Sequence, residues 1–201
     1  MRYEIFRKTF ITKKIVEIND VYLLFPDFDS RRLCEWQEKG YITKIINGFY
    51  IFNDVVIDEY ILMEIANTIY SHSYISFETA LSHYGLIPEA VYRITSATTR
   101  KTKVFNTLQG SFGYRSISKN LFWGYTIDPE NGFIIATPEK AILDYLYLRK
   151  QFNENDLSEW RLNIDEYKNI LNEETIEKYL RLFNNKTLTK KYAVLKEFIN
   201  A

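Results

Sequence analysis

The sequence predicts an α+β fold, and three observations predict it. The first 53 residues read as short helices followed by a tight hairpin. Between about 91 and 136, β-branched and aromatic runs are punctuated like strands of an antiparallel sheet. The remainder returns to apolar spacing of helical period, with a helical tail over about 156–201. At 201 residues, the chain is long enough for one large domain or two small ones.

The elements can be justified in order. Residues 3–9 are expected to form a first helix and Ile15-Val16-Glu17-Ile18 a short strand. Asn19 can cap a helix from Asp20 to about Phe25, because its side chain accepts from exposed first-turn amides. Pro26 ends that helix, since the residue before a proline is pushed out of the α region. Asp29 caps the next helix and Gly40 closes it. Leu33 and Trp36 share its buried face, which leaves Ser30, Arg31, Glu35 and Lys39 nearer the outside and Arg32 between. Asn47-Gly48 between alternating apolar runs signals a hairpin in which both turn residues take positive φ. Helix, turn, helix and hairpin, in that order, describe a winged helix-turn-helix over 1–53.

A second unit is expected over 54–201. A helix at 58–70 carries Ile61, Leu62, Ile65 and Ile69, and Ser76 caps another that Gly85 and Pro88 stop. Strands follow at about 91–97, 103–106, 112–118, 121–127 and 133–136. Thr137-Pro138-Glu139 starts a helix running to about Lys150: a cap, a proline at the first helical position and an acid facing the positive helix end. Its stripe is Ile142, Leu143, Leu146 and Tyr147; Lys140 and Asp144, four apart, are expected to form an ordinary surface pair. Three helices near 164–171, 173–184 and 188–200 complete the tail, with Asn172 and Thr187 as caps.

Composition narrows the function classes. A 46% hydrophobic content allows a sizeable core and argues against disorder. The single cysteine, Cys34, excludes an intramolecular disulfide and fits a reducing compartment. Without a signal peptide or an apolar run long enough to span a bilayer, a cytoplasmic location and no membrane partner are expected. Net charge is zero but unevenly spread. Residues 54–89 carry six acids and no base, and residues 90–127 carry six bases and no acid. The two segments either neutralise each other or leave a basic platform for a polyanion.

No catalytic set, metal site or cofactor is expected. His72, His83 and Glu78 lack the spacing of a ligand trio, Cys34 has no nearby histidine, and phosphate-binding or nucleophile-elbow glycine motifs are missing. The chemistry that remains is recognition of double-stranded DNA. Ser30, Arg31 and Arg32 stand at the start of a recognition-type helix, where an arginine can bond guanine O6 and N7 together or clamp a phosphate. Lys39 suits phosphate, Lys44 and Asn47 on the hairpin reach backbone or minor groove, and Lys13 and Lys14 add phosphate contacts. The alternative is that Arg31 and Arg32 pair with Asp27, Asp29 or Glu35 on the surface. A second patch comprises Arg93, Arg100, Lys101, Lys103, Arg115 and Lys119, interleaved with Tyr92, Tyr114, Phe122 and Trp123. It suits single-stranded RNA, further operator contacts, or no ligand at all.

Three blocks also resemble a known family. They are the N-terminal unit ending Gly48-Phe49-Tyr50-Ile51-Phe52, the run Tyr74-Ile75-Ser76-Phe77-Glu78-Thr79-Ala80-Leu81-Ser82-His83-Tyr84-Gly85-Leu86-Ile87, and Ile134-Ile135-Ala136-Thr137-Pro138-Glu139-Lys140-Ala141-Ile142-Leu143-Asp144. In order and spacing they resemble the AbiEi antitoxins of bacterial type IV toxin–antitoxin systems. The resemblance implies a repressor of its own promoter, acting on inverted repeats in a phage-defence operon. It also implies a functional partner, a nucleotidyltransferase-type toxin, countered through the second domain without a stable complex being required. A general winged-helix regulator with a sensing C-terminal domain, and a protein-interaction module without nucleic acid, are the other two classes.

Overall fold

The structure is a computed structural model that describes residues 1–88, 92–150, 152 and 160–200. The chain opens with α1 (Tyr3–Thr9), β1 (Ile15–Glu17), α2 (Ile18–Leu24), α3 (Arg31–Glu38), β2 (Ile42–Ile46) and β3 (Phe49–Phe52). The strands form an antiparallel sheet in the order β1-β3-β2. Both faces of this small sheet carry buried side chains. Val16, Ile42, Tyr50 and Phe52 meet Phe6, Leu33 and Trp36 from the helices and Phe10 and Phe28 from the segments beside them. Ile15, Ile45 and Ile51 join the core of the rest of the chain. Alternation along each strand sends successive side chains to opposite faces, so three short strands serve two cores.

Local details correct the expected ones. Ile18 begins α2 instead of ending β1, and Asn19 lies inside that helix, donating to Glu17 instead of capping. Asp29 does accept from the Arg31 amide at the start of α3, at 3.0 Å. In the hairpin only Gly48 has a positive φ, +87°. The ladder slips by one residue between Lys44 and Ile46, and this bulge closes the turn with a single left-handed position.

Beyond Asn53 come α4 (Glu59–Ile69), β4 (Ser73–Ile75), α5 (Phe77–His83), β5 (Arg93–Thr98), β6 (Lys103–Asn106), β7 (Ser111–Ser116), a 3-10 turn (Lys119–Leu121), β8 (Tyr125–Ile127) and β9 (Ile134–Ala136). Among the described residues, four helices follow: α6 (Pro138–Leu148), α7 (Ile164–Ile170), α8 (Glu173–Phe183) and α9 (Lys186–Asn200). The six strands form one sheet in the order β6-β7-β5-β4-β9-β8. It is mixed, not antiparallel: β5 runs parallel to β7 and β4 parallel to β9. The reason is the placement of β6 outside β7, which sends the chain back to pair beside β5 in the same direction. β4 was not anticipated, since three buried residues are too short a run to show alternation. The strand expected over 121–127 is interrupted by the 3-10 turn and Gly124, which has φ +74°. A Cβ at Gly124 would approach the Lys140 stem to 3.0 Å, so glycine is required there twice over. The start of the strand expected from 91 and the tail boundary at 156 fall outside the described residues. In the tail, Asn163 and Asn172 cap α7 and α8, while Asn185, not Thr187, accepts from the first turn of α9.

The centre of this part is α6. Thr137 and Pro138 start it as expected, with the Thr137 hydroxyl accepting from the Lys140 amide. Lys191 of α9 donates to the carbonyl of Leu146, at 2.9 Å, and to that of Arg149, satisfying the helix's C-terminal end. The expected surface pair is instead fully buried: Lys140 and Asp144 both have zero exposure. Lys140 Nζ donates to Asp144 Oδ1 and to the Tyr74 hydroxyl. Asp144 Oδ2 accepts from Tyr74 Oη at 2.8 Å and from Ser76 Oγ at 2.9 Å. The rings of Tyr74, Trp123 and Phe183 surround the ammonium. The correction has a physical origin. Nearly every other face of α6 is apolar, so the whole helix is enclosed and the charges go with it. Burial pushes the Asp144 carboxyl up and the Lys140 ammonium down, each partner offsetting part of that shift. Removing one partner leaves an unpaired buried charge. Lys140→Met should therefore lower stability by about 3–5 kcal/mol, and adding Asp144→Leu should recover a large part of the loss. Denaturant melts of the two variants check this; a double variant as unstable as the single one would contradict it.

Candidate nucleic-acid interface

The structure puts Ser30 and Arg31 at the start of α3 and Lys39 just past its end, all exposed. Leu33 and Trp36 are buried beneath, as their spacing requires. Lys44 pairs across the ladder with Tyr50, so it emerges on the sheet face that carries α3, and Asn47 stands exposed at the hairpin tip.

The surface pairs weighed from the sequence are also present. Arg31 Nε donates to both oxygens of Asp29, at 3.0 and 3.1 Å, and holds that carboxyl below the ordinary carboxylate range. Arg32 bonds Glu35 at 2.8 Å. Lys13 pairs with Asp20, and Lys14 with Glu64 of α4. Lys39 and Lys44 have no ion pair among the described residues. The Arg31 side chain nevertheless remains 87% exposed. Asp29 grips only the Nε edge and leaves both terminal nitrogens free, so the pair aims the guanidinium without covering it.

The six bases of 90–127 do not form one platform. Arg93 and Arg115 share a face of the large sheet, with Arg93 opposite Ser111 on β7. Lys103 sits opposite Tyr114, on the other face, and lies over the Phe105 ring. Arg100 stacks on Tyr70 at 4.2 Å, and Lys101 and Lys119 are exposed. Tyr114 is core, Phe122 and Trp123 are half-buried, and only Tyr92 of the interleaved aromatics is fully presented to solvent. The neighbouring acidic segment pairs with the N-terminal part through Arg7–Asp54 and Lys14–Glu64, and with the basic segment through Arg115–Glu78.

Arg93 and Arg115 do come together, in a cleft of about 560 Å³ that they line with Glu78, Tyr92, Thr95, Asn106 and Ser111. The sequence pattern groups the two arginines with Tyr92, which lines the cleft, but also with bases that do not, and it omits Glu78, Thr95, Asn106 and Ser111. One available signal was Gly113 within a strand-like run, which marks a close approach on the pleated surface.

No family model matches the chain, and no curated protein matches it in sequence. Among solved structures it is similar to the RV2827C protein from Mycobacterium tuberculosis, with a TM-score of 0.57 and 14% identity over 85% of this chain and 67% of that one. The likeness is one of fold. No described helix is long and apolar enough to cross a membrane.

The α3 pairs are solvent-exposed, so they aim side chains more than they hold the fold. Arg31→Ala and Arg32→Ala together should leave the circular dichroism spectrum unchanged and move Tm by no more than about 2–4 °C. A collapse of Tm comparable to a core substitution would show that α3 depends on them.

Proposed function

We propose that this chain is a DNA-binding autorepressor and the antitoxin of a type IV toxin–antitoxin operon. Its first 53 residues act as a winged helix: α3 enters the major groove, Ser30, Arg31 and Arg32 read bases, and Lys39, Lys44, Asn47, Lys13 and Lys14 contact phosphate. The observation that carries the DNA reading is the Arg31 guanidinium, exposed at the start of α3 and aimed by Asp29. The antitoxin reading leans on the three sequence blocks that resemble the AbiEi family, and it assigns the counteraction of a nucleotidyltransferase-type toxin to residues 54–201. Tyr22, Leu23 and Leu24, exposed at the end of α2, favour a second reading in which the N-terminal part contacts another protein.

A gel-shift titration on the chain's own upstream DNA, at fixed salt, tests the first reading. Loss of a bidentate guanine contact in Arg31→Ala should weaken binding roughly 5- to 150-fold, with little rescue by Arg31→Lys. Lys44→Ala should weaken all sequences alike and reduce the salt slope by about 1. Unchanged affinity in Arg31→Ala and Arg32→Ala would favour the protein-contact reading. Co-expression with the adjacent gene, scored by growth, tests the antitoxin half.

A further inference from the structure

The cleft beside α5 has properties that DNA reading by α3 does not use. Arg93 is exposed and has no carboxylate partner among the described residues; its Nε donates to Ser111 Oγ, which leaves both terminal nitrogens free. Arg93 and Arg115 stand four registers apart, about 13 Å along the strands. The Arg93 stem leans across Gly113, two residues before Arg115: a Cβ there would meet Arg93 Cδ at 2.8 Å. Arg115 is fixed by Glu78 at 2.8 Å and by the Phe77 ring beneath it. Tyr92 is 98% exposed at the same cleft. Glu78 Oε2 is shut off from solvent, so Glu78 serves the cleft through its grip on Arg115.

Two guanidiniums call for an anion with several acceptor oxygens. A presented aromatic face calls for a flat ring. The cleft volume falls in the range of small-molecule sites. We propose that this cleft binds a nucleoside 5′-phosphate, with the phosphate between Arg93 and Arg115, the base against Tyr92, and the ribose or base polar groups toward Asn106. The ligand is either a free nucleotide or the 5′-terminal nucleotide of a single-stranded RNA. This site is independent of α3 and stands whether or not the chain reads DNA.

Calorimetric titration of the full chain tests it with the four nucleoside 5′-monophosphates, the matching nucleosides and inorganic phosphate. At least one monophosphate should saturate, with its nucleoside and inorganic phosphate each weaker by roughly tenfold or more. Arg93→Gln should weaken the nucleotide roughly tenfold, as should Gly113→Ala, which keeps every polar group and displaces the Arg93 stem. Tyr92→Ala should weaken the nucleotide and leave inorganic phosphate unchanged. A 5′-phosphorylated RNA tetramer that binds tighter than the mononucleotide identifies a strand end as the source; one that binds no tighter identifies the free nucleotide. No saturation by any monophosphate at millimolar concentration would overturn the proposal. So would wild-type affinity in both Arg93→Gln and Gly113→Ala.

Discussion

The buried Lys140–Asp144 pair is the constraint on which the larger part of the molecule depends. Two opposite charges without solvent contact are tolerable only if each finds partners, and here the partners come from different elements. Tyr74 lies on β4, Ser76 precedes α5, and the aromatic walls come from the segment after the 3-10 turn and from α8. A displaced β4 would strand a carboxylate, and a displaced α8 would open the ammonium to water. The same linkage reaches the cleft. Asp144 holds Ser76, Phe77 follows in a left-handed conformation at φ +58°, and Glu78 then fixes Arg115. A polar knot in the core therefore sets the position of a surface arginine.

The N-terminal part is attached by sharing, not by a linker. β1, β2 and β3 present one face to α1–α3 and the other to the second core. Residues such as Ile51 and Phe52, adjacent in sequence, serve opposite cores. Arg7–Asp54 and Lys14–Glu64 bridge the same junction at the surface, where such pairs add little energy but orient side chains. Lys14 is thereby paired with a carboxylate of α4, whereas Lys39 and Lys44 carry no ion pair among the described residues.

Elements with strong local signals were legible in the sequence. α3, the Asn47-Gly48 hairpin and the Thr137-Pro138 helix start all follow from capping, proline and turn chemistry. What depended on distant partners was not. β4 is defined by its neighbours β5 and β9, and the parallel pairing of β5 with β7 by the detour through β6. Ser76 stands where a cap should, yet its hydroxyl is taken by Asp144, 68 residues away. Burial of Lys140 was readable in principle, because Ala141, Ile142, Leu143, Tyr145 and Leu146 leave little room for a wet face. At the candidate interface, spacing located Ser30, Arg31 and Lys39 on the exposed side of α3. It could not choose between Arg31 and its neighbour Asp29 acting as a neutral pair or as an aimed reader, since both use the same contact.

Base-level readout by Arg31 is tested most directly by guanine-N7 methylation interference on the chain's upstream DNA. Readout through the major groove predicts that methylation of specific guanines blocks binding of the wild-type chain and loses its effect on Arg31→Ala. Binding indifferent to guanine methylation, or no protected segment at all, would contradict it.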